Sequence, residues 1–128
     1  RYLIIPGIAS SRVYVADTKP NPRRPQILKV IEPEEFQRSG YANPHTIHCG
    51  PDAIYVSTLG SADGNGGPAG ITMLDHFNFD VLGAWEIDRG TQELGYDFWW
   101  HLTQDVMVTS EAPALGPSRG QSGADRRM

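Results

Sequence analysis

The sequence of 128 residues holds a single cysteine, Cys49, so no internal disulfide framework can brace it. It has no apolar run approaching the roughly 18 residues that a membrane-spanning helix needs, which leaves no transmembrane segment to expect. Basic residues are fewer than acidic ones, 11 against 15, and the formal net charge is -4. No basic stripe remains to face phosphates, so nucleic-acid binding is excluded as a reading. Long helical periodicities are also missing. Only 33–39 (PEEFQRS) reads as helix, with Pro33 at a first helical position, Glu34 and Glu35 suited to the N-terminal dipole, and Gly40 as the stop.

The 14 glycines and 10 prolines are scattered between short apolar runs, which predicts many turns and short strands. With 39% hydrophobic and 20% charged residues, the composition is that of a packed domain rather than a disordered chain. Strand signals, β-branched and aromatic, fall at 2–5, 12–17, 26–31, 53–59, 71–75, 81–87, 96–102 and 106–110. The chain starts at Arg1 and enters a strand at once, with no signal peptide in view. It is expected to begin inside a larger fold, and its compartment is not legible.

Val13-Tyr14-Val15 recurs as Ile54-Tyr55-Val56, an offset of 41 residues (13 to 54), and again as Val106-Met107-Val108, 52 residues further (54 to 106). A period of 40–50 residues in an all-β chain suggests the blades of a β-propeller. An ordinary antiparallel sandwich would show similar strand spacing. A propeller closes with about four blades or more, so this chain would be a piece of one. Residues 112–128, with Arg119, Arg126 and Arg127 against Asp125 and only Leu115 as a large aliphatic, lack both periodicities and are expected to be disordered. The expected organisation is therefore a partial propeller over 1–111 and a separate tail over 112–128.

The chemistry-bearing stretch is PHTIHCG, 44–50. It brings two imidazoles, His45 and His48, within five residues of the Cys49 thiol, a compact set of soft metal ligands. An HxxH pair with one cysteine is a weak motif by itself. On a regular strand, residues three apart face opposite sides, so a shared site needs a turn here, which Pro44 and Gly50-Pro51 supply. Cys49 reads either as a ligand or as a small buried hydrophobe, with the second favoured because His48 and Cys49 point apart on extended backbone. His101, after the aromatic run Phe98-Trp99-Trp100, reads either as a ligand or as a half-buried strand-end histidine bonded to a carbonyl. His76 falls in a solvated hairpin loop. Asp97 and Glu111 are candidates to hydrogen-bond the histidines. Phe98 and Trp100 share one strand face, read as core, and Trp99 takes the other. The glycine-rich loop 60–70 lacks the alternating Asp/Asn set of a calcium loop and the Lys-Ser/Thr of a phosphate loop, and reads as a connection.

Taken together, RYLIIPGIASSRVYVADT, KVIEP, HTIHCGPDAIYVSTLG, GITMLD with FDVLGAWEIDRG, and GYDFWWHL followed by VMVTSE resemble the selenium-binding protein family, whose members include methanethiol oxidases. The resemblance covers residues 1–111. It implies a fragment, about two blades with flanking strands, of a seven-bladed all-β propeller. It also implies oxidation of a small thiol, methanethiol, by oxygen and water to formaldehyde, hydrogen sulfide and hydrogen peroxide. The implied cofactor is copper held by histidines from several blades. His45 and His48 match the family's HTxHC segment, and His101 is carried over as a third ligand from the next blade. The family name implies bound selenium, whose place in this sequence is open. After TSE the family pattern continues with Trp-Gly, whereas Ala112 follows here. A non-catalytic propeller that binds selenium or protein partners is the alternative.

Overall fold

The computed structural model describes residues 1–64 and 66–111, so the expected disorder of 112–128 lies outside the described residues. Each strand pairs antiparallel with its neighbour in sequence, and the described strands form three successive sheets. The first contains β1 (Tyr2–Gly7), β2 (Arg12–Asp17) and β3 (Gln26–Ile31). A short helix, α1 (Pro33–Phe36), and a 3-10 turn (Gln37–Ser39) lead on, stopping at Gly40 with φ +89°. The second sheet is β4 (Tyr41–Cys49), β5 (Ile54–Ser61), β6 (Ile71–Leu74) and β7 (Val81–Ala84), in that order. The third holds β8 (Gly95–His101) and β9 (Val106–Glu111). The first strands of successive sheets adjoin, β1 to β4 and β4 to β8. This is the meander-by-meander arrangement of propeller blades, and the chain is a partial all-β propeller. No helix among the described residues is long and apolar enough to cross a membrane.

The middle sheet is buried on both faces, and β5 shows why. Its side chains alternate, as strand geometry requires. Ile54 and Val56 turn toward the first sheet, into a core with Val13, Val15, Ile31, Phe36, Leu74 and Phe79. Tyr55 turns the other way, into a second core with Ala53, Ile71 and Phe98, flanked by Met73, Trp100 and Met107. Lys29 adds a clamp across the first seam: its Nζ lies 2.6 Å from Asp80 Oδ1 and 3.4 Å from Glu35 Oε1. Burial alone would lower the Lys29 pKa. The two carboxylates outweigh it, so the net shift is upward. The small stabilisation of this pair is therefore present at neutral pH and is lost only as pH rises through that raised value.

The 41-residue repeat holds for strand order and fails for phase. Both of its segments lie on the second strand of a sheet, and the third copy, 106–108, lies on the second strand of the next. Yet Val13 and Val15 face forward to the middle sheet, while Ile54 and Val56 face back to the first. Both sets must fill the same seam, and a one-residue slip is enough to exchange the faces of a strand.

The largest departure from expectation is β4. The sequence places its HTIHC segment on a loop entering a strand, and the segment is instead part of a nine-residue strand. Pro44 and Asn43, whose φ is +57°, disguise it as a turn. Both are tolerable because β4 is the terminal strand of its sheet and is irregular between Pro44 and Ile47. The Asn43 backbone N–H donates to Ser11 Oγ at 3.0 Å, and its Nδ2 to the Ile8 carbonyl at 2.8 Å. Expected strand 53–59 runs on to Ser61, and 81–87 stops at Ala84.

Apolar residues stand exposed on the outward faces of the stack: Leu3, Ile27 and Leu28 on the first sheet, Trp99 and Val108 on the third. Interior blades of a longer propeller carry such faces.

Leu74 is fully buried between the first two sheets, whereas Ile87 is fully exposed. Leu74→Ala should lower unfolding free energy by about 2–5 kcal/mol. Ile87→Ala should stay within about 0.5 kcal/mol. Urea melts of the two variants check this, and equal midpoints would contradict the packing of the first two sheets.

Candidate metal centre

The irregularity in β4 decides what the histidines do. Pro44 pairs with Thr58 and Ile47 with Val56, so two residues, His45 and Thr46, stand opposite the single residue Ser57. This is a β-bulge, one extra residue in one strand. The extra residue shifts the alternation, and positions three apart then project to the same side. Ile47 packs back on the first core. His45, Thr46 and His48 all reach the edge of β8 instead. The turn that the HxxH spacing demanded is thus supplied inside a strand.

The bulge is pinned by hydrogen bonds. The Thr46 N–H donates to Ser57 Oγ at 3.0 Å, and Ser57 Oγ donates to the Tyr96 carbonyl at 2.7 Å. Thr46 Oγ1 donates to the same carbonyl at 3.3 Å. His45 Nδ1 lies 3.0 Å from that oxygen and 2.8 Å from Thr46 Oγ1, and its ring stacks at 4.5 Å on Tyr96. His48 Nε2 lies 3.3 Å from Asp97 Oδ1, with its ring edge-on to Phe98 at 5.0 Å and to Trp99 at 4.7 Å. Asp97 Oδ1 also accepts from the Phe98 N–H at 2.7 Å, which holds the carboxylate in place.

These contacts set the tautomers. With the Thr46 hydroxyl proton given to the Tyr96 carbonyl, His45 Nδ1 faces two acceptors, the Thr46 oxygen and that carbonyl, so the proton of neutral His45 sits on Nδ1 and its Nε2 keeps a bare lone pair. A carboxylate only accepts, so the proton of neutral His48 sits on Nε2 and its Nδ1 is bare. Each ring therefore offers one nitrogen to a metal, with the other nitrogen fixed by an acceptor, as in many histidine metal sites. His48 and Asp97 line a largely apolar concavity of about 340 Å³ with Trp99, Val108 and Ser110.

The other candidates lie elsewhere. His101 is exposed at the far end of β8, two strand positions, roughly 7 Å, beyond Trp99. Its Nδ1 lies 3.1 Å from Thr103 Oγ1, and it lines a different concavity. Among the described residues, no group of three or more His, Cys, Asp or Glu side chains could hold a metal. The donor set of this chain suits copper in kind, being imidazole nitrogen, but two rings are fewer than such a centre needs. Cys49 is exposed, not a buried small hydrophobe, because β4 ends on it at the hairpin. His76 is half-buried in the β6–β7 turn. Glu111 does not serve a histidine; its Oε1 accepts the N–H groups of Glu93 and Leu94, at 2.8 and 3.2 Å. Phe98 and Trp100 do belong to the core, while Trp99, 65% exposed, forms part of the site wall. The loop 60–70 ends tightly, since the Gly70 carbonyl accepts from both Thr58 N and Thr58 Oγ1. Thr46, Ser57 and the Tyr96 carbonyl escaped the sequence reading, and the phase conflict of the HxxH spacing was the only trace of them.

The family model of the 56 kDa selenium-binding protein matches residues 1–126. A methanethiol oxidase of Xenopus laevis is 45% identical over 111 residues, covering 85% of this chain and 23% of the relative. One of Danio rerio is 44% identical over 119 residues, covering 89% and 26%. Selenium-binding protein 3 of Arabidopsis thaliana is 42% identical over 118 residues, covering 89% and 24%. In three dimensions the chain is similar to a hypothetical selenium-binding protein from Sulfolobus tokodaii solved by X-ray, with TM-score 0.82 and 63% identity, over 87% of this chain and 24% of that one. The chain thus spans about a quarter of the length of these relatives.

The tautomers are directly testable without metal. Long-range 15N–1H spectra should show His45 protonated on Nδ1 and His48 on Nε2. Asp97→Ala should remove the His48 preference and leave that of His45. The reverse assignment in the unaltered chain would contradict the hydrogen-bond scheme.

Proposed function

The chain belongs to the 56 kDa selenium-binding protein family, and from that premise we propose that the protein containing it is a methanethiol oxidase whose copper takes imidazole ligands from His45 and His48. In the overall reaction, methanethiol, oxygen and water in equal amounts give formaldehyde, hydrogen sulfide and hydrogen peroxide in equal amounts. The observation that carries the site is the bulge opposite Ser57, which turns both rings to one strand edge with one nitrogen bare on each. Relatives named methanethiol oxidase support the activity.

Copper, when bound, supplies affinity for thiolate and the one-electron steps that oxygen chemistry requires. The residues of this chain supply position. The Tyr96 carbonyl and Asp97 orient the two rings and fix which nitrogen each presents. Trp99 and Phe98 wall the His48 side with apolar surface, which favours a small methylated thiol over a charged one. The remaining donors come from outside the described residues. His101 joins them only if the β8–β9 hairpin moves, and its variant decides the point.

One observation favours a second reading. Cys49, next to His48 in the chain, is exposed, and some relatives are named for selenium binding. In that reading the site holds selenium without turning over.

In the full-length protein, His48→Ala should lower copper content and methanethiol oxidation together, by about tenfold or more, as loss of a ligand does. Cys49→Ala should spare most of both. His101→Ala should leave copper content unchanged if the pair stands as described. Full copper loading after His48→Ala would remove the assignment, and selenium loading without thiol turnover would favour the second reading.

A further inference from the structure

We propose that the seam between the β4–β5 and β8–β9 hairpins binds an organic cation, an alkylammonium head enclosed by Trp85, Trp100 and Tyr55 and neutralised by Asp52 and Asp105. These residues line one concavity of about 160 Å³, which shares no residue with the His48 concavity. A cavity of about 150 Å³ accepts a benzene molecule, and a trimethylammonium group is of similar bulk.

Three features give the concavity its chemistry. The first is aromatic surface. Tyr55 and Trp100 meet edge to face with centroids 4.5 Å apart, and Trp85 remains 41% exposed. Aromatic faces attract cations through their quadrupole, most strongly where water is partly excluded. The second is charge. Asp52 and Asp105 line the concavity with His101 as the one basic side chain, no lysine or arginine lines it, and among the described residues neither aspartate forms an ion pair. Burial, and then the Asp52 carboxylate, push the Tyr55 hydroxyl pKa upward. The third is shape. A Cβ at Gly50 would collide with the Tyr55 ring and come within 3.0 Å of Trp100, so only glycine lets the two rings close over the β4–β5 turn.

The shared chemistry is a methylated or alkylated ammonium, and it could arrive free or on a methylated lysine of another protein. The test uses the full-length protein, titrated with choline and with its uncharged isostere 3,3-dimethylbutan-1-ol, and followed by tryptophan fluorescence and calorimetry. Choline should bind at least about tenfold more tightly than the alcohol, the difference that a desolvated cation–π contact supplies. Trp85→Leu should weaken choline by about threefold to tenfold. The double variant Asp52→Asn with Asp105→Asn should weaken it comparably. Asparagine suits Asp105, whose φ is +52°, so the backbone is kept. A trimethyllysine peptide that binds more tightly than choline assigns the head to a protein partner, and the opposite order assigns it to a free small molecule; either order supports the site. Equal binding of choline and the alcohol, no choline binding, or variants that fold normally and bind choline unchanged would overturn it.

Discussion

One extra residue in β4 governs the rest of the site. Because His45 and Thr46 together face Ser57, the strand keeps Ile47 in the core and sends both histidines to the edge of β8. Without that extra residue, alternation would put one imidazole into the apolar seam with Val13 and Val56, where it would lack partners. The Tyr96 carbonyl holds the arrangement, since it faces Ser57, Thr46 and His45 at once. The bulge is therefore a packing solution that also decides which way both rings face.

The two-sided burial of the middle sheet makes the device rigid. Ile54 and Val56 anchor β5 to one core and Tyr55 to the other, so the strand that carries Ser57 cannot slide. The same constraint places Tyr55 against Trp100 and shapes the second concavity. One strand thus sets two separate features, one at the Ser57 level and one at its hairpin end.

Much of the fold was legible in the sequence because β-branched runs and glycine stops map directly onto strands and turns. The helix at Pro33 and the hairpin around His76 came through for the same reason. β4 did not, because Asn43 and Pro44 look like turn residues unless one knows that the strand is terminal and bulged. The repeat showed which strands are counterparts but not their phase, which depends on which seam each side chain must fill. At the site, His45 and His48 were legible as a pair and Asp97 as a candidate partner, while Thr46, Ser57 and the Tyr96 carbonyl were not. A backbone carbonyl has no sequence signature, and nothing in the sequence says that Asp97, 49 residues away, serves His48 while Glu111 serves neither ring. The exposure of Cys49 and the separate position of His101 are likewise tertiary facts.

The most direct measurement is anomalous diffraction at the copper edge from crystals of the full-length protein. The account predicts a copper peak at bonding distance, about 2.0–2.1 Å by analogy with other metal–imidazole bonds, from His45 Nε2 and His48 Nδ1. It also predicts that Asp97 and the Tyr96 carbonyl remain bonded to the opposite nitrogens. A copper peak away from both rings, or one bonded to the nitrogens assigned here as protonated, would contradict it.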